Sequence, residues 1–210
     1  MYESGAFSCA KILKMKYVVG SDEVGRGSLA GPVVVAAVLL PQKLRIRSYK
    51  SSPLRDSKRL TASGRENWFG FFRKNPVIKY TLAKVHPRKI EKINISRAAN
   101  LAALRAYLRL TKNFKFHIPS FMIYLDGGLY LGNGKNRVLA RTVIRGVLKL
   151  PAIKIASIIA KVNRDKLMTR LAKKYPRYGF EVHKGYGTRA HYAAIKKFGP
   201  SEIHRSTFLN

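Results

Sequence analysis

Val33-Val34-Val35-Ala36-Ala37-Val38-Leu39-Leu40 is an unbroken apolar run with Gly31-Pro32 before it and Pro41 after it. β-Branched residues, short length and proline boundaries make it a buried strand, and it falls well short of the roughly 18 apolar residues that a membrane span requires. Such a strand belongs inside a sheet that other elements cover. The preceding segment, Lys16 to Ser21, is also β-branched and aromatic and stops at Asp22-Glu23. The two strands form a hairpin with the acidic pair at one end.

Further along, Lys43 to Lys58 is basic and serine-rich, a loop with room for a short strand around Leu44 to Arg47. Thr61 caps a helix to about Lys74, with Glu66 in an early turn and Asn75-Pro76 ending it. Val77 to Val85 alternates as a third strand, and His86-Pro87 opens a short helix. Ser96 caps a longer helix to Lys112, in which Ala98, Leu101, Ala102, Leu104 and Leu108 recur at helical spacing and form a core stripe. Phe121 to Leu125 is a strand ending at Asp126, and Thr142 to Ile144 is another before Gly146. Pro151 begins a helix to about Lys174, with Ile155, Ile158, Ile159, Val162 and Leu167 on its inner side and Asp165 near its middle. Thr188 caps a last helix ending at Gly199-Pro200. Strands that first meander and then alternate with helices predict a mixed α/β sheet, and such sheets hold ligands at their strand ends.

At 210 residues and 46% hydrophobic content the chain suits one domain with a real core. Forty-two Lys and Arg oppose 10 Asp and Glu, a formal charge of +32. A surplus of that size points to a polyanion, because clustered cations gain affinity for phosphate backbones by releasing condensed counterions. No helix confines its basic residues to one face, so a membrane surface is the poorer match. Met1 to Lys16 lacks an apolar core and a cleavage pattern, and no signal peptide is assigned. Cys9 is the only cysteine, which excludes an internal disulfide or a cysteine-based zinc site and points to the reducing cytosol.

Acids are scarce here, so an adjacent pair is informative. Asp22 and Glu23 repel each other unless a cation sits between them. Asp126 ends a later strand and Asp165 lies on a helix able to cross the same sheet edge. Oxygen ligands of this kind suit Mg²⁺ or Mn²⁺, which bind through a few carboxylates and substrate phosphate oxygens. Two such ions about 4 Å apart can activate water and stabilise the leaving oxygen of a phosphodiester. Taken alone, an Asp-Glu pair at a strand end is more often a solvated turn, and spacing does not bring four acids together. Gly25-x-Gly27-x-x-Ala30 superficially matches a dinucleotide fingerprint. It fails because Asp22 and Glu23 would repel a pyrophosphate and Pro32 interrupts the required helix.

The longer pattern resembles ribonuclease HII, the bacterial and archaeal type 2 ribonuclease H, from about Tyr17 to Phe208. It is carried by Gly20-Ser21-Asp22-Glu23-Val24-Gly25-Arg26-Gly27 with Leu29-Ala30-Gly31-Pro32-Val33-Val34, by Asp56-Ser57-Lys58-Arg59-Leu60, and by Tyr124-Leu125-Asp126-Gly127. Ala156-Ser157-Ile158-Ile159-Ala160-Lys161-Val162-Asn163-Arg164-Asp165 follows. Tyr175-Pro176-x-Tyr178-Gly179-Phe180, His183-Lys184-Gly185-Tyr186-Gly187-Thr188 and His204-Arg205 complete it in the family's order.

The resemblance implies an α/β ribonuclease H-like fold, a mixed five-stranded sheet flanked by helices with a small C-terminal helical extension. It divides the chain into a tail (1–15), a catalytic domain (16–180) and a substrate-binding extension of that domain (181–210). It implies an endonuclease cleaving RNA in RNA/DNA hybrids and 5′ to single ribonucleotides in duplex DNA, leaving 3′-hydroxyl and 5′-phosphate ends. Asp22, Glu23, Asp126 and Asp165 match the family's four metal-binding catalytic acids, for Mg²⁺ or Mn²⁺. Gly25-Arg26-Gly27 matches the loop that reads the ribose 2′-hydroxyl, and Tyr186 the ring against the sugar at the RNA-to-DNA junction. Lys58 is the expected substrate-phosphate contact, and Lys184 is a further expected substrate-binding residue.

Gly25-Arg26-Gly27, where type 3 enzymes usually carry Gly-Thr-Gly, favours type 2. Many relatives have Lys-Gly-Asp where this chain has Arg145-Gly146-Val147, and small residues where Lys154-Ile155 stand. These departures are expected to affect packing and phosphate contacts, leaving the four acids intact. The loop from Asp126 through Asn136 is unusually glycine-rich. His183 and His204 lie inside matching blocks with structural and catalytic roles both open, and Arg189, Lys196 and Lys197 form either a solvated or a nucleic-acid face. A monomer is expected, and no clamp-binding peptide stands out at the C-terminus, leaving a replication clamp without support. The competing reading, resting on charge alone, is a non-catalytic basic RNA-binding protein associated with the ribosome.

Overall fold

The computed structural model describes residues 17–44, 46, 48–50, 52–114, 121–132 and 140–209. The expected N-terminal tail with Cys9, and residues 133–139 of the glycine-rich loop, lie outside the described residues. Strand β1 (Tyr17–Val24) pairs antiparallel with β2 (Val33–Pro41), from Tyr17 opposite Pro41 to Val24 opposite Val34. The expected hairpin is present, but β1 continues past Ser21 through both acids. Asp22 and Glu23 face Ala36 and Val35, and the backbone ladder offered by β2 overrides the poor strand propensity of the carboxylates.

Two short strands, β3 (Ser48–Tyr49) and β4 (Ser52–Pro53), pair with each other. Leu44 and Ile46 are irregular, so pairing in this loop begins later than expected, and 45 and 47 lie outside the described residues. Strand β5 (Lys79–Val85) runs antiparallel to β2 on its far side. Strand β6 (Phe121–Asp126) lies parallel to β1, and β7 (Ala140–Val143) parallel to β6. The mixed sheet of five strands therefore has the order β5-β2-β1-β6-β7. β7 stops at Val143, before the expected Ile144, because Arg145 turns the chain with φ at 55°.

Helices cover both faces. They are α1 (Ala62–Lys74), α2 (Pro87–Ile93), α3 (Ile95–Phe114), α4 (Gly146–Lys149), α5 (Pro151–Lys174), α6 (Phe180–His183) and α7 (Arg189–Phe198). Thr61 and Thr188 cap α1 and α7 as expected, accepting N–H bonds from Gly64 and His191. The expected cap of α3 is displaced by two residues. Asn94 Oδ1 accepts the Arg97 N–H at 3.0 Å, while the Ser96 hydroxyl accepts a bond from Arg26.

The core stripe of α3 also differs from expectation. Ala98, Ala99, Ala102, Ala103, Ala106, Tyr107 and Leu110 are buried against β2, β5 and β1, while Leu101 and Leu104 are half-buried and Leu108 is exposed. Alanines let the helix axis approach the sheet closely, so the larger leucines sit to the side. On the opposite face α5 is buried nearly all round from Ala152 to Val162, together with Trp68 and Phe72 of α1, and Met168 replaces the expected Leu167 as a fully buried side chain. Gly20 permits this contact, since a Cβ there would lie 2.4 Å from the Ala152 carbonyl carbon.

Residues 181–209 fold back over the loop between β1 and β2. Leu29 donates to the Gly185 carbonyl at 2.8 Å, Gly31 to Ile203 at 2.9 Å, and the Arg205 N–H to Leu29 at 2.7 Å. Two arginines complete the join.

Candidate active site

Parallel pairing of β1 with β6 sets Ser21 opposite Leu125, so one step further Asp22 and Asp126 stand side by side at the carboxyl ends of neighbouring strands. Side chains alternate across a sheet. Asp22 and Asp126 therefore share the α5 face, and Glu23 points to the other side of the same edge. All three line a cavity of about 480 Å³. Its wall also includes Val24, Gly25, Arg26, Gly27, Asp56, Ser57, Lys58, Val147, Ser157, Lys161 and Tyr186.

Asp22 is buried, and its carboxyl is pushed up to about 8. Burial is the main cause, with the Glu23 and Asp126 charges adding to it, against the Ser157 hydroxyl and the Glu23 N–H. Glu23 is likewise raised by burial, opposed by Arg26, whose Nη1 lies 3.4 Å from Oε1. The other oxygen, Oε2, is buried without a hydrogen-bond partner. A buried carboxylate oxygen left orphaned beside two more carboxyls is a donor set that a hard divalent cation satisfies, so the residues present fit Mg²⁺ or Mn²⁺. Among the described residues no three such side chains stand ready-made at mutual ligand distance. Mg²⁺ sites commonly complete their shells with water and substrate phosphate.

Asp165 is the expected acid that the structure does not bring in. Lys161 Nζ holds its Oδ1 at 2.9 Å and Arg65 Nη2 lies 4.0 Å from Oδ2. Lys161 sits on the cavity wall, while Asp165 is four residues further along α5, about 6 Å along the helix axis. Lys184 is also off the wall. Its Nζ donates to Thr169 and the Glu181 carbonyl, and its own carbonyl accepts from Arg164 at 2.8 Å. Arg189, Lys196 and Lys197 are exposed and away from this cavity.

Gly25, Arg26 and Gly27 do reach the cavity. Gly25 has a φ of 85°, and a Cβ on it would strike Arg164 Nε at 2.1 Å. Arg164 is fully buried and donates to the carbonyls of Pro32, Ala30 and Lys184 and to the Ser28 hydroxyl. Arg205, equally buried, donates to the carbonyls of Gly25, Arg26 and Gly31. Neither arginine was singled out by residue type, though both stand inside the matching blocks. The Tyr186 ring lies 5.6 Å from Lys161 Nζ and 5.3 Å from the Arg164 guanidinium. Lys58 is placed by a short 3₁₀ turn whose cap, Asp56 Oδ1, accepts its N–H at 3.1 Å.

His183, His191 and His204 pack together in one layer. His191 Nε2 lies 3.0 Å from His204 Nε2, His191 Nδ1 bonds the Tyr186 carbonyl, and the His183 and His191 rings stack at 4.2 Å. This layer supports the Tyr186 segment from beneath.

A sheet of this order, with acids at the ends of adjacent parallel strands and helices on both faces, defines a ribonuclease H-like α/β protein. The structure is similar to that of ribonuclease H2 from Pyrococcus horikoshii (TM-score 0.66, 25% identity, covering 91% of this chain and 93% of that one). It also shares its fold with Bst-RNase HIII, solved in complex with Mn²⁺ (TM-score 0.64, 18% identity, 91% and 66% covered). In sequence, the chain is 43% identical to ribonuclease HII of Pelagibacter ubique over 194 residues, 92% of this chain and 96% of that protein. The family model described as Ribonuclease HII matches residues 19–210, and the chain belongs to that family. It is a hydrolytic endonuclease of the ribonuclease H kind, which removes the non-catalytic RNA-binding reading. Among the described residues no helix is long and apolar enough to cross a membrane.

Proposed function

We propose that this protein is a metal-dependent endoribonuclease that cuts RNA in RNA/DNA hybrids and the phosphodiester 5′ to a single ribonucleotide embedded in duplex DNA. The products carry 3′-hydroxyl and 5′-phosphate ends. The observation that carries this reading is the orphaned Glu23 Oε2 buried beside Asp22 and Asp126. Burial raises the Asp22 and Glu23 carboxyls, Asp126 lies beside them, and among the described residues no cation is paired with Asp22, a charge that a divalent ion would supply.

Asp22, Glu23 and Asp126 would hold Mg²⁺ or Mn²⁺. When bound, the metal supplies an activated water and positive charge opposite the leaving oxygen. The similar fold of a ribonuclease HIII solved with Mn²⁺ supports the choice of ion. The chain's own residues do the rest. Lys58 and Lys161 bind phosphate oxygens along the strand to be cut. The loop at Gly25-Arg26-Gly27 brings backbone groups close to the sugar, where a 2′-hydroxyl distinguishes RNA from DNA. Tyr186 packs on the next sugar and disfavours an additional hydroxyl there. The enzyme works as a monomer in the cytoplasm, within a single catalytic domain completed by residues 181–210. A protein of related fold from Archaeoglobus fulgidus is solved as a PCNA:RNase HII complex, which makes a replication clamp a candidate partner, although no clamp-binding peptide stands out at the C-terminus.

The test is incubation of the purified protein with duplex DNA bearing one ribonucleotide, with and without Mg²⁺ or Mn²⁺, beside Asp126→Asn. Cutting that requires the ion and is lost in the variant is the expected result. Equal cutting by the variant, or cutting in chelator, overturns the role given to Asp126.

A further inference from the structure

We infer that the metal site of this chain is one carboxylate short, that Val147 occupies the place where a fourth donor would complete it, and that Asp165 does not substitute. The inference rests on the metal-dependent reading above and goes beyond it by saying how many donors the protein supplies.

Position 147 lies against the site. The Val147 N–H donates to Asp126 Oδ1 at 3.3 Å, and a Cβ on the adjoining Gly146 would come within 3.2 Å of the same oxygen. The Val147 side chain is half-buried and forms part of the cavity wall shared with Asp22, Glu23 and Asp126. An acid on that backbone would therefore face the other three. A valine there leaves that part of the cavity wall without a charge.

Among the described residues no other acid replaces it. Asp165 is off the wall and ion-paired with Lys161 at 2.9 Å. Asp56 is on the wall but caps the turn that holds Lys58. The charge balance follows. Two divalent ions bring four positive charges, whereas Asp22, Glu23 and Asp126 supply three negative ones, and Arg26 already draws on Glu23. One ion is held by the protein. A second depends on the phosphate oxygens of the substrate, since affinity for hard cations follows the number and charge of the oxygen donors.

Isothermal titration calorimetry with Mn²⁺ alone, on the full chain without nucleic acid, tests this. Wild type is expected to bind one ion. Val147→Asp should bind Mn²⁺ about tenfold tighter or take up a second ion. Val147→Asn, close in size but uncharged, and Asp165→Asn should stay within about threefold of wild type, while Asp126→Asn loses binding. The inference is overturned if Val147→Asp binds no tighter than wild type, or if Asp165→Asn loses as much as Asp126→Asn. Circular dichroism checks folding, Val147→Glu reaches the same wall if the aspartate variant misfolds, and the Asp165→Asn arm stands independently of either. Mn²⁺ binding that is unaffected by Asp126→Asn defeats the underlying metal site itself, a different result from failure at position 147.

Discussion

Arg205 Nη2 donates to the carbonyl oxygen of Gly25 at 2.7 Å, joining residues 180 positions apart. The same guanidinium reaches the carbonyls of Arg26 and Gly31, and Arg164 holds the loop from its other side. The Gly25-Arg26-Gly27 loop is therefore shaped by a residue near the far end of the described chain. Its backbone is preorganised before any nucleic acid arrives.

Arg205→Met keeps most of the side-chain volume but leaves those carbonyls without donors. Losing several charge-assisted bonds in a buried place should cost roughly 3 kcal/mol or more, a fall in melting temperature of about 10 °C for a protein of this size. Thermal unfolding followed by circular dichroism reads it. A fall under about 2 °C would show that the clamp is dispensable.

Asp22 makes the metal-free fold sensitive to alkali. Its carboxyl is pushed up from 3.8 to about 8, mainly by burial, so the folded state holds a proton that the unfolded chain releases. The stability linked to that proton is complete below about pH 4 and is lost as pH rises towards 8. In chelator, Asp22→Asn should be the more stable protein, by an amount that grows from pH 5 to pH 8 to a few kcal/mol. In saturating Mn²⁺ the order should reverse. A melting-temperature difference that ignores both pH and metal would contradict this account.

His191 works in the opposite sense. Burial is the main reason its ring is held down to about 4 from 6.5, with the neighbouring histidines adding to it. Its bonds to Tyr186 and His204 assign an Nδ1–H, Nε2-acceptor tautomer, an assignment made from partners. The stability it contributes is present above pH 6.5 and lost as pH falls towards 4. Nitrogen-15 spectra of the imidazole should show that neutral tautomer persisting at pH 5.5. A ring already cationic there would refute the layer's role.

Lys58 is exposed and lies on the cavity wall, well placed for a phosphate but bound to no acid among the described contacts. Lys58→Ala should weaken binding of an RNA/DNA hybrid and make the log–log salt slope shallower by about one. Anisotropy titrations across a range of KCl concentrations, in chelator, measure both. An unchanged slope would remove Lys58 from the phosphate contacts.

Much of this architecture was readable because its signals are local. Pro151 opens α5, Thr61 and Thr188 cap their helices, and the Val33–Leu40 run has nowhere to lie except inside a sheet. Asp22 and Glu23 stood out because a chain of charge +32 has few acids to place. Errors came where a pattern had two solutions. The leucines of α3 have helical spacing, but so do its alanines, and close packing on the sheet selected the alanines.

The fate of the fourth acid shows the other limit. Nothing in the order of residues distinguishes Asp165 from a ligand, and nothing in Arg145-Gly146-Val147 marks a place beside Asp126. Both answers depend on how strands align and how a helix is rotated about its axis. Alignment comes from the β1–β6 ladder and rotation from the contact of Gly20 with Ala152. Residue types and their spacing settle which segments become strands and helices, because those preferences act within a few residues. Which carboxylates share a cavity is settled by packing between segments more than a hundred residues apart, where a single turn of helix is enough to carry a charge out of reach.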